Sequence, residues 1–169
     1  MNNCTLHREP AIPGIATESA QATFPHTVYH GTNEVFDEFI ASEDGLYGAG
    51  IYFADTRDFA CQYGSIIISA QLNLLNPWVI NAVHDSAVAK RELFDHPAIE
   101  AILALPNGRA LVDEAIDIGW ELFDTALQDE IKSLGHDGII ANYVDGSKQI
   151  IAFHSHQVSI NGKEIISPN

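Results

Sequence analysis

The chain of 169 residues has the length of one domain, and its 46% hydrophobic and 9% aromatic content is that of a globular protein rather than a disordered one. Its 23 acidic residues outnumber 8 basic ones, giving a formal net charge of −15. Such a surface repels phosphate backbones and anionic lipid, which excludes nucleic acids and membrane surfaces as partners and favours a basic protein. No run approaches the roughly 18 apolar residues of a membrane span.

Residues 1–24 predict a flexible leader, because they are rich in Pro, Ser, Thr and Asn and show no periodicity. This segment has neither the basic start nor the apolar centre of a secretory signal peptide, so we expect none. Cys4 and Cys61 do not form a disulfide framework and are expected to be thiols in a reducing compartment. Residues 25–169 predict a single domain.

The first part of this domain, residues 26–80, reads as strands. Short β-branched or aromatic runs are bounded there by Gly, Asn, Asp and Pro, which is the pattern of strands separated by turns. The runs are TVYH, GIYFA, SIIISAQL and WVI.

The middle part, residues 84–134, predicts a helical insertion. Asp85 can cap a helix over SAVAKRELFDH, and His96-Pro97 can open a second helix over AIEAILAL. From Val112 to Leu134 the apolar residues recur with the 3.6-residue period of an amphipathic helix, which Gly135 would end.

The last part returns to strands. DGIIANY, KQIIAF and QVSI are β-rich, and the turn VDGS between the first two predicts a hairpin. Strands, then helices, then strands indicate an α+β fold with a mainly antiparallel sheet.

A glycine-rich segment, GLYGAGIYFAD, raises the question of a nucleotide site. It fits neither a P-loop nor the dinucleotide-binding fingerprint, because its glycines precede a strand instead of opening a helix. Taken alone, the glycines predict a turn. The informative feature is the set of motifs elsewhere in the chain that accompanies these glycines. These motifs are YHGT at 29–32, a second tyrosine at Tyr63, and GSKQIIAFHSHQV near the C-terminus.

Together these motifs resemble the diphtheria-toxin and poly(ADP-ribose) polymerase branch of the ADP-ribosyltransferases, which is named for a His-Tyr-Glu triad. HGT begins at His30, GAGIYFAD spans 48–55, and QIIAFHSHQV spans 149–158. The resemblance covers roughly residues 27–160. It implies an α+β fold with a split antiparallel sheet and the use of NAD as co-substrate, without a metal.

The resemblance also implies roles for individual residues. His30 would hydrogen-bond a ribose hydroxyl, the backbone of Gly31 would pair with the nicotinamide carboxamide, and Thr32 would add a hydroxyl contact. Tyr52 and Tyr63 would sandwich the pyridinium, since an aromatic face attracts a flat cation. The implied NAD-binding set is His30, Gly31, Thr32, Gly50, Tyr52 and Tyr63. The alternative interpretation is structural: His30 is an ordinary strand histidine, and Tyr52 and Tyr63 are core tyrosines.

The departures from the pattern concern the third triad position and a serine. Gln149 stands where the glutamate is usual, so the implied catalytic set is His30, Tyr52 and Gln149. An amide can hydrogen-bond a hydroxyl but is no general base. Ala60 replaces the carboxamide-binding serine. Carboxylates that could compensate are Asp145, Asp137, Glu34 and Glu38. His154 and His156 would share a strand face, but a zinc site needs further ligands.

The resemblance therefore implies an NAD-dependent mono-ADP-ribosyltransferase that acts on an acceptor, expected to be a protein. A small domain of this type resembles a toxin or translocated effector, cytoplasmic or delivered into a target-cell cytosol, with a cognate inhibitor as a candidate partner. Three alternatives stay open: an NAD glycohydrolase, a catalytically silent module that binds NAD, ADP-ribose or a protein, and a modifier of small molecules.

Overall fold

A computed structural model describes residues 27–90, 92 and 95–166 of the chain. The predicted leader, residues 1–24, and Cys4 lie outside the described residues. Every strand-like run of the sequence forms a strand, which confirms those predictions. The strands are β1 (Val28–Thr32), β2 (Ile51–Ala54), β3 (Ile66–Leu72), β4 (Trp78–Asn81), β5 (Gly138–Asn142), β6 (Lys148–Ala152) and β7 (Val158–Ile165).

The seven strands form one sheet in the order β4-β5-β6-β2-β1-β3-β7. Neighbouring strands are antiparallel except β4 and β5, which run parallel. The sheet is therefore mainly antiparallel, as the sequence indicated, but this one parallel pair makes it a mixed sheet. Parallel neighbours require a long crossover connection. The helical middle of the chain, between Asn81 and Gly138, is that connection.

The pairing between β1 and β2 is the shortest in the sheet. These strands share one register pair, Tyr29 with Ala54, whereas β1 pairs with β3 at five positions and β2 with β6 at four. Beyond Tyr29, no described strand pairs with the edge of β1 that faces β2. A gap at this seam leaves room for a ligand between two otherwise well-paired halves of the sheet.

Two hydrophobic clusters cover the two faces of the sheet, because successive strand side chains point to opposite faces. Ile67 of β3 belongs to the cluster that includes helical residues such as Leu127 and Ile131. Its neighbour Ile68 belongs to the other cluster, with Phe39 and Phe53. Both faces are therefore buried, which explains the nearly continuous isoleucine run of β3.

The helical middle differs from its prediction in two places. The segment after Asp85 forms only a 3-10 turn at Ser86–Val88 within the described residues, and Asp85 makes no side-chain cap. The carboxylate of Asp145 binds the Ser86 backbone N–H and hydroxyl instead, at 3.1 and 2.7 Å. A side chain from the β5–β6 turn thus takes the capping role that Asp85 was expected to have.

The long amphipathic helix is two helices. A short helix α1 (Arg57–Ala60) follows β2, α2 (Ile99–Leu103) lies in the crossover, and α3 (Gly108–Ile118) and α4 (Trp120–Ser133) come next. Gly119 separates α3 from α4 with a φ of +88°, a conformation that only glycine adopts readily. The sequence did not predict this break, because Gly119 occupies a position on the apolar face of the predicted helix. Gly135, at φ +86°, lies just past α4 as predicted.

No helix in the described part of the chain is long and apolar enough to cross a membrane.

Candidate active site

A cavity of about 100 Å³ opens at the seam between β1 and β2. Residues from β1, β2, α1, β6 and the loop after α1 form its wall, so it joins segments that are far apart in the sequence. The lining residues are Tyr29, His30, Gly31, Tyr52, Phe53, Ala54, Phe59, Ala60, Tyr63 and Gln149. We call this space the first cavity.

Five of the seven predicted site residues meet in the first cavity: His30, Gly31, Tyr52, Tyr63 and Gln149. The other two lie elsewhere. Gly50 lines a neighbouring second cavity of about 320 Å³, which shares His30 and Tyr52 with the first. Thr32 lines neither cavity, because its hydroxyl accepts a hydrogen bond from the Glu34 backbone N–H at 3.1 Å.

His30 is held as a neutral imidazole between the two cavities. Its Nδ1 lies 2.7 Å from the carbonyl oxygen of Tyr52, and because a carbonyl only accepts, Nδ1 carries the proton. Burial lowers the pKa of His30 below its ordinary value of 6.5, and the Tyr52 contact only partly opposes this shift. The ring is also packed edge-on against Phe39 and Phe53. The second nitrogen, Nε2, is therefore an acceptor in a fixed position.

Tyr52 is fixed by the glycine-rich segment. Its hydroxyl donates to the Gly48 carbonyl at 2.5 Å and accepts from the Tyr47 N–H at 3.0 Å. A Cβ on Gly45 would lie 2.1 Å from that hydroxyl oxygen, so the backbone there lies directly against the tyrosine. Gly48 has a φ of +87°. These glycines therefore hold the end of the Tyr52 side chain. This role explains why they lie just before the strand that carries Tyr52.

Tyr63 forms the outer wall of the first cavity. It follows α1, which begins at an N-cap where the Thr56 hydroxyl accepts from the Phe59 N–H, and it closes the turn with a 3.0 Å hydrogen bond to the Ala60 carbonyl. Tyr63 is 54% exposed, and its partial burial raises the pKa of its hydroxyl. Its side chain is thus accessible to a bound ring.

Gln149 lies at the inner end of the cavity, 9% exposed, on β6 beside Ala54. The Tyr143 hydroxyl donates to its side-chain oxygen at 3.1 Å, and the Tyr47 hydroxyl donates to Tyr143 at 3.2 Å. Sequence reasoning missed Tyr47 and Tyr143 as neighbours of the site. Tyr143 directly follows the apolar strand β5, and nothing in that pattern distinguishes it from a core residue.

Tyr29 and Phe59 also line the cavity and were not predicted. Tyr29 belongs to the quoted motif YHGT, so the motif itself was a signal. Phe59 lies on the buried side of α1, and nothing in the sequence distinguishes it from other apolar residues on the buried side of a helix.

The four carboxylates considered as substitutes for a glutamate fall into two pairs. Asp137 accepts from the Leu75 and Asn76 N–H groups, at 2.6 and 2.9 Å. Asp145 accepts from Ser86 and Ser147, whose hydroxyls are the main reason that its pKa falls to about 2. These two therefore stabilise turns. Glu34 and Glu38 line the second cavity.

Among the described residues, none that lines the first cavity carries a carboxylate, an ammonium or a guanidinium group. Aromatic faces, a neutral imidazole and a neutral amide surround it. Such a wall can attract a flat cation through the ring quadrupoles and can hydrogen-bond hydroxyl or amide groups. It offers no strong base for removing a proton.

His154 and His156 do not share a strand face as expected. His154 precedes a 3-10 turn at Ser155–Gln157 and His156 lies within it; both are exposed, and their rings stack with centroids 5.3 Å apart. Over the described ranges, no group of three or more His, Cys, Asp or Glu side chains is arranged to hold a metal ion. Gln157 of the same motif has a structural role, because its side chain bonds the His154 N–H and the Asp137 carbonyl.

Comparison with known proteins gives one family match. The profile described as "ADP-Ribosyltransferase in polyvalent proteins" matches residues 23–165, which include both cavities and all seven strands. No curated protein matches the chain. A solved structure titled "Crystal structure of an anti-CRISPR protein" is similar with a TM-score of 0.43 and 16% identity, covering 82% of this chain and 94% of that one. ADP-ribosyltransferase domains use NAD as co-substrate. By the extent of the profile match, the chain belongs to the family of ADP-ribosyltransferases in polyvalent proteins.

Proposed function

We propose that the chain is a mono-ADP-ribosyltransferase that transfers one ADP-ribose unit from NAD to a protein, with His30, Tyr52 and Gln149 as its three principal site residues. One observation carries the proposal: these side chains and Tyr63 come from four separate segments and line one cavity at the seam of the sheet. The family membership of the chain supplies the reaction class.

The size of the cavities supports a divided binding mode for NAD. Pockets that enclose a whole small molecule hold roughly 300–1,000 Å³, so the first cavity is too small for a dinucleotide and suits a single ring. We place the nicotinamide there, between Tyr52 and Tyr63. The adenosine half would extend past His30 into the second cavity, where Nε2 of His30 can accept a hydrogen bond from a ribose hydroxyl.

The reaction consistent with this wall begins with cleavage of the bond between the nicotinamide nitrogen and the ribose carbon. The electron pair of that bond neutralises the pyridinium nitrogen, and a lone pair of the acceptor forms the new bond to the carbon. The acceptor then loses its proton to solvent. Gln149 can hold a ribose hydroxyl but cannot take up a proton or balance the positive charge on the sugar.

The neutral Gln149 supports a single transfer rather than polymer synthesis. Extending a polymer makes a ribose hydroxyl the acceptor, and a hydroxyl is a weak nucleophile without a base. The acidic surface, with net charge −15, supports a basic protein as the acceptor through charge complementarity. The acidic residues of the loop beside the second cavity are Glu34, Asp37, Glu38, Glu43 and Asp44.

The neutral side chain of Gln149 also favours a second candidate function, that of a module that binds NAD without turnover. Loss of a general base costs roughly 10²–10⁴ in rate, which would reduce a slow transferase to near silence.

Incubation of the purified chain with labelled NAD, with and without cell extract, separates these candidates. We expect label on a specific protein at a mass of one ADP-ribose unit, lost in Gln149→Ala and Tyr63→Ala and kept in the matched control Tyr63→Phe. Free labelled ADP-ribose without labelled protein would indicate a glycohydrolase. Activity found only in Gln149→Glu would indicate the binding module. A native chain with no affinity for NAD would contradict all three.

A further inference from the structure

The side chain of Gln149 is held from behind by two buried tyrosines. Tyr143 is 6% exposed and Tyr47 is fully buried. The Tyr47 hydroxyl donates to the Tyr143 hydroxyl, which donates to Oε1 of Gln149. Tyr47 comes from the glycine-rich segment, Tyr143 directly follows β5, and Gln149 lies near the start of β6, so three parts of the chain converge on one amide group.

The direction of these hydrogen bonds fixes the orientation of the amide. A phenol has a single proton to donate, and Tyr143 gives its proton to Gln149 while accepting from Tyr47. Burial raises the pKa of Tyr143 to about 12, and burial also raises the pKa of Tyr47, so both remain donors at neutral pH. The amide oxygen of Gln149 thus accepts from Tyr143. Its Nε2 donates to no atom of the described residues, although the side chain lines the first cavity.

We propose that Tyr143 is a positioning residue that turns the Gln149 amide so that its NH₂ group, not its oxygen, faces the first cavity. Gln149 then acts on the substrate as a hydrogen-bond donor to a ribose hydroxyl oxygen, which rests on the proposed function. Tyr47 keeps Tyr143 in this orientation. This reverses the role of a carboxylate, which would accept a proton from the same hydroxyl.

The absence of a base at this position defines the class of acceptor. A donor NH₂ cannot draw a proton from the attacking group, and the other lining residues that the structure describes include no carboxylate. The acceptor must therefore supply an electron pair without prior deprotonation by the enzyme, as an unprotonated nitrogen or a thiolate does. A serine hydroxyl does not meet this condition.

The orientation can be tested without turnover. Nuclear magnetic resonance of the ¹⁵N-labelled chain detects the Gln149 NH₂ group, which Gln149→Ala identifies by its loss. We expect restricted motion of this group in the native chain and increased motion, with shifted signals, in Tyr143→Phe. Tyr29→Phe, which removes the hydroxyl of a tyrosine that lines the first cavity, is the matched control and should leave the group unchanged. Unchanged Gln149 signals in Tyr143→Phe would overturn the proposal.

A double-mutant cycle on NAD affinity tests the same idea on the ligand side. Tyr143→Phe should weaken NAD binding by about 2- to 10-fold, the range of one hydrogen bond, and by nothing further in the Gln149→Ala background. An equal loss in both backgrounds would mean a purely structural role and would overturn the proposal. Should Tyr143→Phe not fold, Tyr47→Phe replaces it in both measurements with the same expected and contrary results. If the native chain does not bind NAD, the proposed function is wrong. The nuclear magnetic resonance experiment would still decide whether Tyr143 orients the Gln149 amide.

Discussion

Gly31 of β1 lies directly against the last turn of α1, where a Cβ would be 1.9 Å from the carbonyl oxygen of Ala60. Because the obstacle is backbone, a side chain at position 31 must move α1, and Tyr63 follows α1 by three residues. Gly31→Ala should lower the free energy of unfolding by about 1–3 kcal/mol, the usual cost of overpacking, and should also weaken NAD binding. Urea unfolding and calorimetric titration measure the two effects.

The matched control for this substitution is Gly162→Ala in β7. A Cβ there meets only the Ser69 hydroxyl oxygen, at 3.3 Å, and that side chain can turn away. Chain entropy alone would make both Gly→Ala variants more stable, because alanine restricts the unfolded chain. Equal loss of stability in both variants would show that the loss does not arise at α1, and the role assigned to the contact between β1 and α1 would be wrong.

The crossover helices brace the segment that holds Tyr52. Gln128 of α4 donates to the Ala49 carbonyl, and the fully buried His96 contacts the Leu46 carbonyl through Nε2 at 2.9 Å. Gln128→Leu leaves a carbonyl without this donor, which should cost about 1–3 kcal/mol of unfolding free energy. The loosened segment should also weaken NAD binding, because the Tyr52 hydroxyl depends on Gly48.

Thermal or urea unfolding together with NAD titration checks the Gln128 prediction. Gln71→Leu is the matched control, because Gln71 is an exposed residue of β3 and should tolerate the change. If Gln128→Leu lowered stability but kept full NAD affinity, α4 would stabilise the fold without bracing the site.

The strands, and the meeting of most candidate site residues in one cavity, could be predicted because their signals are local. Short β-branched or aromatic runs bounded by turn residues predicted every strand, and the order of four motifs predicted that His30, Tyr52, Tyr63 and Gln149 would meet. The break at Gly119 was not predictable, because a glycine occupies an apolar position of the period as readily as it ends a helix.

Contacts between distant segments were beyond the sequence pattern. The capping of Ser86 by Asp145 joins residues 59 positions apart, and the contact of Tyr47 with Tyr143 joins residues 96 positions apart. Neither spacing has a periodicity that a single sequence can display. The parallel pairing of β4 with β5 is of the same kind, since it depends on how the crossover folds back.

Restoring a hydroxyl at position 60 should strengthen the site. Ala60 is 1% exposed and lines the first cavity where the resemblance predicts a serine that binds the nicotinamide carboxamide. Ala60→Ser should tighten NAD binding by about 2- to 10-fold, the range of one net hydrogen bond, with a small loss of stability in the unliganded protein. Titration with nicotinamide alone checks whether the gain belongs to that end of NAD. Weaker binding by the variant would mean that the carboxamide lies elsewhere.

The pH dependence of NAD binding should report the protonation of His30. Because burial lowers its pKa below 6.5, the imidazole stays neutral at pH 6.5, and Nε2 loses its acceptor pair only when the pH falls through the lowered value. NAD affinity should therefore be level above pH 6.5 and fall below it. The same shift favours the folded state fully above pH 6.5, a contribution that is lost as the pH falls through the lowered pKa.

Calorimetric titrations between pH 5 and pH 8 measure this dependence, with unfolding followed in parallel to exclude acid denaturation. His30→Gln is the matched variant, since an amide can still accept a hydrogen bond but does not titrate in this range. The fall in affinity on the acid side should disappear in that variant. A native midpoint at or above pH 6.5, or an acid limb that persists in His30→Gln, would mean that another group controls NAD binding and that Nε2 of His30 does not accept from the ribose.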